Sequence, residues 1–211
     1  MKLLFLLLFL PLGAVAQPSN VQSCAFCHGA QGEGSPANGT PRIAGQPQAY
    51  LERQLAAYAD GRRDNPLMTP VARQLTPEQR TEFSAYYSGL RAPAVKAAAT
   101  ATAAANVRGR ALATRGDQAL NVQACQDCHG PGGTGFGNIN PYLAGLDPRY
   151  LEAALREWKS GSRKTDPSRQ MNQIAGNLGD ADIKALAAYF ATQQPPSRTV
   201  APQEPSPVGA K

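Results

Sequence analysis

Apolar residues recur at helical spacing along this chain, and the pattern returns about one hundred positions later. Leu51, Leu55 and Tyr58 fall on one helical face, as do Leu151, Leu155 and Trp158. Pro47 and Pro148 suit a first helical turn, Asp147 suits a cap, and Gly61 and Gly161 suit helix ends. Thr76-Pro77-Glu78-Gln79 is a capping-box start for a helix carrying Phe83, Tyr86, Tyr87 and Leu90. Gly179 or Asp180 opens its counterpart, with Ile183, Leu186, Tyr189 and Phe190. Each half reads as helix, long loop, helix, loop, helix, so the expected fold is all-α. A leading helix is available to the second half from Val107 to Ala113. The first half has only Gln17 to Ser23 before Cys24, so its first helix is expected to be truncated.

The halves are copies. Pro41-Arg42-Ile43-Ala44-Gly45 matches Pro141-Tyr142-Leu143-Ala144-Gly145, and Tyr50-Leu51-Glu52 matches Tyr150-Leu151-Glu152. Farther on the offset becomes 103, pairing Leu75, Phe83 and Tyr86 with Leu178, Leu186 and Tyr189. Matches that include turn and core positions together mark a duplicated domain. The expected domains are residues 17–92 and 107–192, joined by an Ala/Thr-rich connector over 93–106. Residues 193–211, rich in Pro and polar side chains, read as a disordered tail. At the other end, Met1-Lys2, the Leu/Phe run from Leu3 to Leu10 and Ala14-Val15-Ala16 form a secretory signal peptide over residues 1–16. Its apolar run is short for a membrane span. Export to the periplasm is the expectation.

Chemistry concentrates in two pentapeptides. Cys24-Ala25-Phe26-Cys27-His28 returns as Cys125-Gln126-Asp127-Cys128-His129, and together they use every Cys and His in the chain. In an exported protein this spacing signals covalent c-type haem attachment: two thiols add to the vinyl groups, and the adjacent His reaches the iron. Rival readings are one four-Cys zinc site, structural disulfides and thioredoxin-like redox pairs. None of them requires a His directly after each second Cys. Met68 lies 40 residues after His28 and Met171 42 residues after His129, one Met for each motif. Core filling is the ordinary use of a Met, but two Met matched to two haems point to axial ligation. His/Met ligation raises the reduction potential.

The formal charge of +6 comes without a basic run interleaved with aromatics, which argues against a nucleic-acid partner. The Gly-rich loops after the motifs lack the Gly-Lys-Ser/Thr of a phosphate loop. Their small residues let backbone pass close to a haem face.

A cleaved leader, two Cys-x-x-Cys-His modules and a Met after each resemble the cytochrome c4 family, over nearly all of residues 21–192. The resemblance implies two tandem class I cytochrome c domains related by a pseudo-twofold axis, with haem propionates facing across the interface. It implies thioethers at Cys24, Cys27, Cys125 and Cys128, proximal ligands His28 and His129, and distal ligands Met68 and Met171. It also implies that the Pro41 and Pro141 carbonyls accept the proximal His N–H. Tyr50, Arg53 and Tyr150 are further candidates for propionate contact, although solvated or core positions account for them equally well. The implied function is electron transfer without bond chemistry. Electrons would come from a donor such as the bc1 complex and pass to a terminal oxidase of the cbb3 type, with peripheral membrane association compatible with both. Other readings are an electron-accepting subunit for a periplasmic dehydrogenase oxidising alcohols or sulfur compounds, and a dihaem peroxidase. A peroxidase needs an open or switchable iron, and this chain offers a Met to each haem.

Overall fold

The computed structural model describes residues 20–94 and 103–197. Domain 1 contains α1 (Val21–His28), α2 (Gln48–Asp60), α3 (Met68–Gln74) and α4 (Pro77–Gly89). Domain 2 contains α5 (Ala103–Arg115), α6 (Cys125–His129), α7 (Pro148–Ser160), α8 (Gln170–Gly176) and α9 (Asp180–Ala191). Among the described residues there is no strand, only isolated bridges such as Ser35 with Thr40 and Phe136 with Asn140. The helix ends follow local chemistry. Thr76 and Gln79 form the capping box of α4, and the Asp147 carboxylate accepts from the Arg149 amide at the start of α7. Gly61 and Gly161 end α2 and α7 in the left-handed conformation.

The repeated Pro-x-x-Ala-Gly segment ties each haem-motif loop to the last helix of its domain. Ile43 and Ala44 amides donate to the Gly32 carbonyl at 2.9 and 3.0 Å, and Gly45 donates to Tyr87 at 2.8 Å. In domain 2, Leu143 and Ala144 donate to Gly133 at 2.7 and 3.0 Å, and Gly145 to Phe190 at 2.8 Å. Gly32 and Gly133 must be glycine. Both have positive φ, and a Cβ on either would stand 2.7 Å from the ring of Tyr87 or Phe190.

The two cores are unequal. In domain 2, α5 crosses α9, and Leu112, Val122, Tyr142, Leu146, Leu151, Leu178, Ile183, Leu186 and Phe190 form one buried cluster. Gly109 lies at this crossing, where a Cβ would collide with the Ala185 carbonyl. The corresponding cluster in domain 1 is Val21, Leu51 and Tyr87, flanked by Ile43, Tyr86 and Leu90. Its α1 runs directly into the haem motif, and Val21 supplies the apolar contact expected of a longer leading helix. The leader at 1–16 lies outside the described residues, as do residues 95–102 of the connector and 198–211 of the tail. Helix α5 begins at Ala103, within the stretch read as connector.

The domains interlock through polar side chains. Tyr142, fully buried, donates its hydroxyl to the Ala44 carbonyl at 2.7 Å. Gln46 brackets the Tyr142 backbone, donating to its carbonyl at 3.0 Å and accepting from its amide at 3.2 Å. Tyr50 and Tyr150, equivalent in the repeat, meet with hydroxyls 3.5 Å apart.

Candidate functional site

His28 and His129 end their motif helices and are both buried. Each Nδ1 lies 2.8 Å from a proline carbonyl, Pro41 for His28 and Pro141 for His129. A carbonyl only accepts, so each Nδ1 carries the proton and Nε2 presents a bare lone pair. Burial lowers the pKa of both rings, against the opposing effect of the carbonyl bonds. Neutral imidazoles, oriented by a backbone acceptor, are what iron requires.

The motif cysteines are unpaired, with Cys27 exposed and the other three partly buried. Burial raises the Cys24 thiol and pushes Cys125 up to about 12. Reactive redox cysteines need a depressed pKa, so burial of Cys24 and Cys125 works against the thioredoxin-like reading. Among the described residues no group of three or more His, Cys, Asp or Glu gathers at a point, which removes the single zinc site.

Met68 begins the short helix α3, and Met171 is the second residue of the short helix α8. Sequence reasoning missed both helices, since seven residues carry too little periodicity. A preceding polar side chain fixes each Met. Asn65 Oδ1 accepts from the Met68 amide at 3.0 Å, and Asp166 Oδ2 accepts from the Met171 amide at 2.9 Å.

In domain 2 these groups surround a cavity of about 410 Å³. Cys125, Cys128, His129 and Met171 line it, with Leu143, Leu146, Leu151, Leu155, Trp158, Leu178, Leu186 and Phe190 as apolar walls. Its polar end is built from both domains: Tyr150 and Arg163 from domain 2, and Tyr50, Arg53 and Gln54 from α2 of domain 1. Arg163 is buried, stacks 4.5 Å from the Trp158 ring centroid, and donates to Gln54 Oε1 at 2.7 Å and Tyr50 Oη at 3.2 Å. None of those partners is a carboxylate. Arg53 lines the same cavity, and its Nε is buried without a partner. An apolar slot with thiols, an imidazole and a thioether along it, and two guanidinium groups that have no carboxylate partner, fits a haem with its two carboxylates.

The equivalent arginine of domain 1, Arg63, is also buried. It stacks 4.9 Å from the Tyr58 centroid and pairs with Glu157 of domain 2 at 2.9 Å. Gln54 Oε1 accepts from it at 3.1 Å, so one amide oxygen links the two arginines. Sequence reasoning overlooked Arg63 and Arg163. The available signal was their offset of 100, two residues beyond the paired helix-ending glycines.

Comparison with known proteins gives the family. A sequence model of cytochrome c matches residues 19–90 and 113–194. A thiosulfate dehydrogenase electron acceptor from Thiomonas intermedia is 43% identical over 183 residues, covering 87% of this chain and 84% of the relative. A cytochrome c4 from Pseudomonas aeruginosa is 31% identical over 179 residues, covering 84% and 87%. Among solved structures, a thiosulfate dehydrogenase from Marichromatium purpuratum aligns with TM-score 0.74 and 42% identity, over 81% of this chain and 36% of that longer one. Reduced cytochrome c4 from Pseudomonas stutzeri also gives TM-score 0.74, at 26% identity, over 82% of this chain and 94% of that one. The chain belongs to the cytochrome c family and, within it, to the dihaem cytochromes c4: an electron-transfer protein, not an enzyme, with two covalently bound haems c.

Proposed function

We propose that this protein accepts electrons from a periplasmic dehydrogenase acting on thiosulfate and passes them to a terminal oxidase. The observation that carries the donor side is the similarity, at 43% over 183 residues, to a protein that serves as a thiosulfate dehydrogenase electron acceptor. A like-sized part of the longer Marichromatium thiosulfate dehydrogenase chain aligns at 42% identity, which supports the same pairing. The oxidase is the downstream partner that the cytochrome c4 resemblance implies.

In this reading Cys24 and Cys27 hold one haem and Cys125 and Cys128 the other. His28 and Met68 ligate the first iron, His129 and Met171 the second. The haem supplies a ferric/ferrous couple. The chain supplies saturated axial ligation, a dry apolar cavity and fixed positive charge beside the carboxylates. Filled ligation would keep the coordination unchanged when an electron arrives, while the apolar walls and the positive charge would set the potential. The sequence of residues 1–16 supports export before haem attachment.

The test mixes purified dihaem protein, thiosulfate and a catalytic amount of thiosulfate dehydrogenase without oxygen, and follows the reduced α-band. Both haems should reduce, and only when the dehydrogenase is present. If dithionite reduces the protein but the dehydrogenase with thiosulfate does not, the donor assignment fails. Intact mass after denaturation checks the rest: a chain starting at Gln17 with two retained haems is expected.

A further inference from the structure

Helix α2 has two working faces. Leu51 and Tyr58 point into domain 1, where they are buried. Tyr50, Arg53 and Gln54, at i, i+3 and i+4, line the cavity of domain 2 instead. Arg53 reaches across the interface and donates from Nη2 to the Ile139 carbonyl at 3.1 Å. The Arg53 side chain lines the cavity, while its Nε is buried and unpartnered. The corresponding residue on α7 is Ala153, so domain 2 returns no such cation to domain 1.

We propose that Arg53, a residue of domain 1, binds the carboxylate edge of the domain 2 haem and tunes its reduction potential in trans. The proposal rests on the assignment of this cavity to the second haem. A buried N–H donor with no acceptor is costly unless something satisfies it. The bound haem brings two carboxylates, and the cavity admits them comfortably only at its polar end. Asp166, which also lines the cavity, is a carboxylate already engaged by Ser168 and the Met171 amide. Arg163 supplies one guanidinium at the polar end, and Arg53 supplies a second, both free of any protein carboxylate. Arginine suits this role because its planar fork matches carboxylate geometry and keeps its charge. A cation held at the carboxylates offsets their negative charge and favours retention of positive charge least at the iron, so it favours the ferrous state. Domain docking and the potential of the second haem are then thermodynamically linked.

The test uses the intact dihaem protein as wild type, Arg53→Gln and Arg53→Lys. Potentiometric titration is followed by NMR of the haem methyl groups, assigned to each haem through the ring protons of His28 and His129, the chain's two histidines. Arg53→Gln should lower the reduction constant of the domain 2 haem about tenfold, a shift of about 59 mV for one electron. The domain 1 haem should change less than about twofold, and Arg53→Lys should recover most of the loss. An unmoved domain 2 haem, a larger shift in the domain 1 haem, or no recovery with lysine overturns the proposal. The native protein gives an independent check if a variant misfolds. The Arg53 Nε–H resonance should be protected from exchange and should follow oxidation of the domain 2 haem. A resonance that follows the domain 1 haem, or exchanges freely, refutes the assignment. Reduction by the dehydrogenase does not enter these measurements, so failure of the donor assignment leaves them intact.

Discussion

Gly109→Ala should destabilise domain 2 even though alanine is the better helix former. Gly109 lies inside α5, at its crossing with α9. On helix propensity alone, the change would stabilise by about 0.8–1 kcal/mol. The crossing reverses that sign. An added Cβ would stand 2.8 Å from the Ala185 carbonyl carbon and 2.8 Å from Tyr189 Cβ, and closer to the Ala185 carbonyl oxygen. Relaxed carbon–carbon contact needs about 3.5–4.0 Å, so the helices must separate by about 1 Å. That separation disturbs the packing of Leu112 against Ile183, Leu186 and Phe190, all in the same buried cluster. Overpacking costs about 1–3 kcal/mol, and strain against backbone belongs at the upper end. The net expectation is a loss of about 1–2 kcal/mol. The assay is denaturant titration of the holoprotein, following the Met–iron absorption of each domain in single-Met backgrounds. The domain 2 signal should move to lower denaturant. Unchanged or increased stability would show that α5 and α9 have slack at Gly109 and would sink the argument.

Four further outcomes are expected. Met68→Ala and Met171→Ala should each remove about half of the near-infrared Met–iron band and lower one of the two potentials, since thioether ligation favours ferrous iron; a variant that leaves band and potentials intact refutes that ligand. Glu157→Gln leaves buried Arg63 without its carboxylate and should cost about 1.5–3 kcal/mol in chemical denaturation. Tyr142→Phe leaves the Ala44 carbonyl unpaired and should cost about 1–3 kcal/mol by the same measurement. The Asp166 carboxyl is held below its ordinary 3.8, burial being outweighed by donors from Ser168, Met171 and Gln170. A depressed carboxyl stabilises above its unfolded value and loses that stabilisation as pH falls through its folded value, so Asp166→Asn should flatten the stability profile below about pH 4; an unchanged acid limb counts against it.

Much of this protein was legible because the information is local. A haem motif is five consecutive residues, a capping box four, and both repeat. The Pro41 and Pro141 contacts to His28 and His129 were implied by the family resemblance, and the structure shows both at 2.8 Å. What escaped was either too short or too distant. Helices α3 and α8 have seven residues each and owe their starts to Asn65 and Asp166 rather than to an apolar stripe. Arg53 could be named as a propionate candidate but not given its haem, because side-chain direction on α2 depends on where domain 2 docks. Gln46, Gln54 and Tyr142 were invisible as interface residues, since each has an unlike residue at its repeat position: Leu146, Ala154 and Arg42.

That last pattern explains how a duplicated domain can pack against its own copy. Positions that serve the haem stay paired across the repeat: His28 with His129, Pro41 with Pro141, Gly32 with Gly133, Arg63 with Arg163. Several positions where one half meets the other are where the copies differ, although Tyr50 and Tyr150 meet as equals. A perfect twofold would bring identical side chains face to face along α2 and α7, and like charges there would repel. Arg53 corresponds to Ala153 in the repeat, and Glu157 to Ala57, so each helix carries one charge that its copy lacks. Glu157 then satisfies Arg63, while Arg53 remains beside the second cavity. Breaking the repeat at these positions removes the repulsion and, by the same step, makes the two haem environments different. Two haems in unlike environments are free to differ in affinity for an electron, and such a difference would give transfer between them a direction.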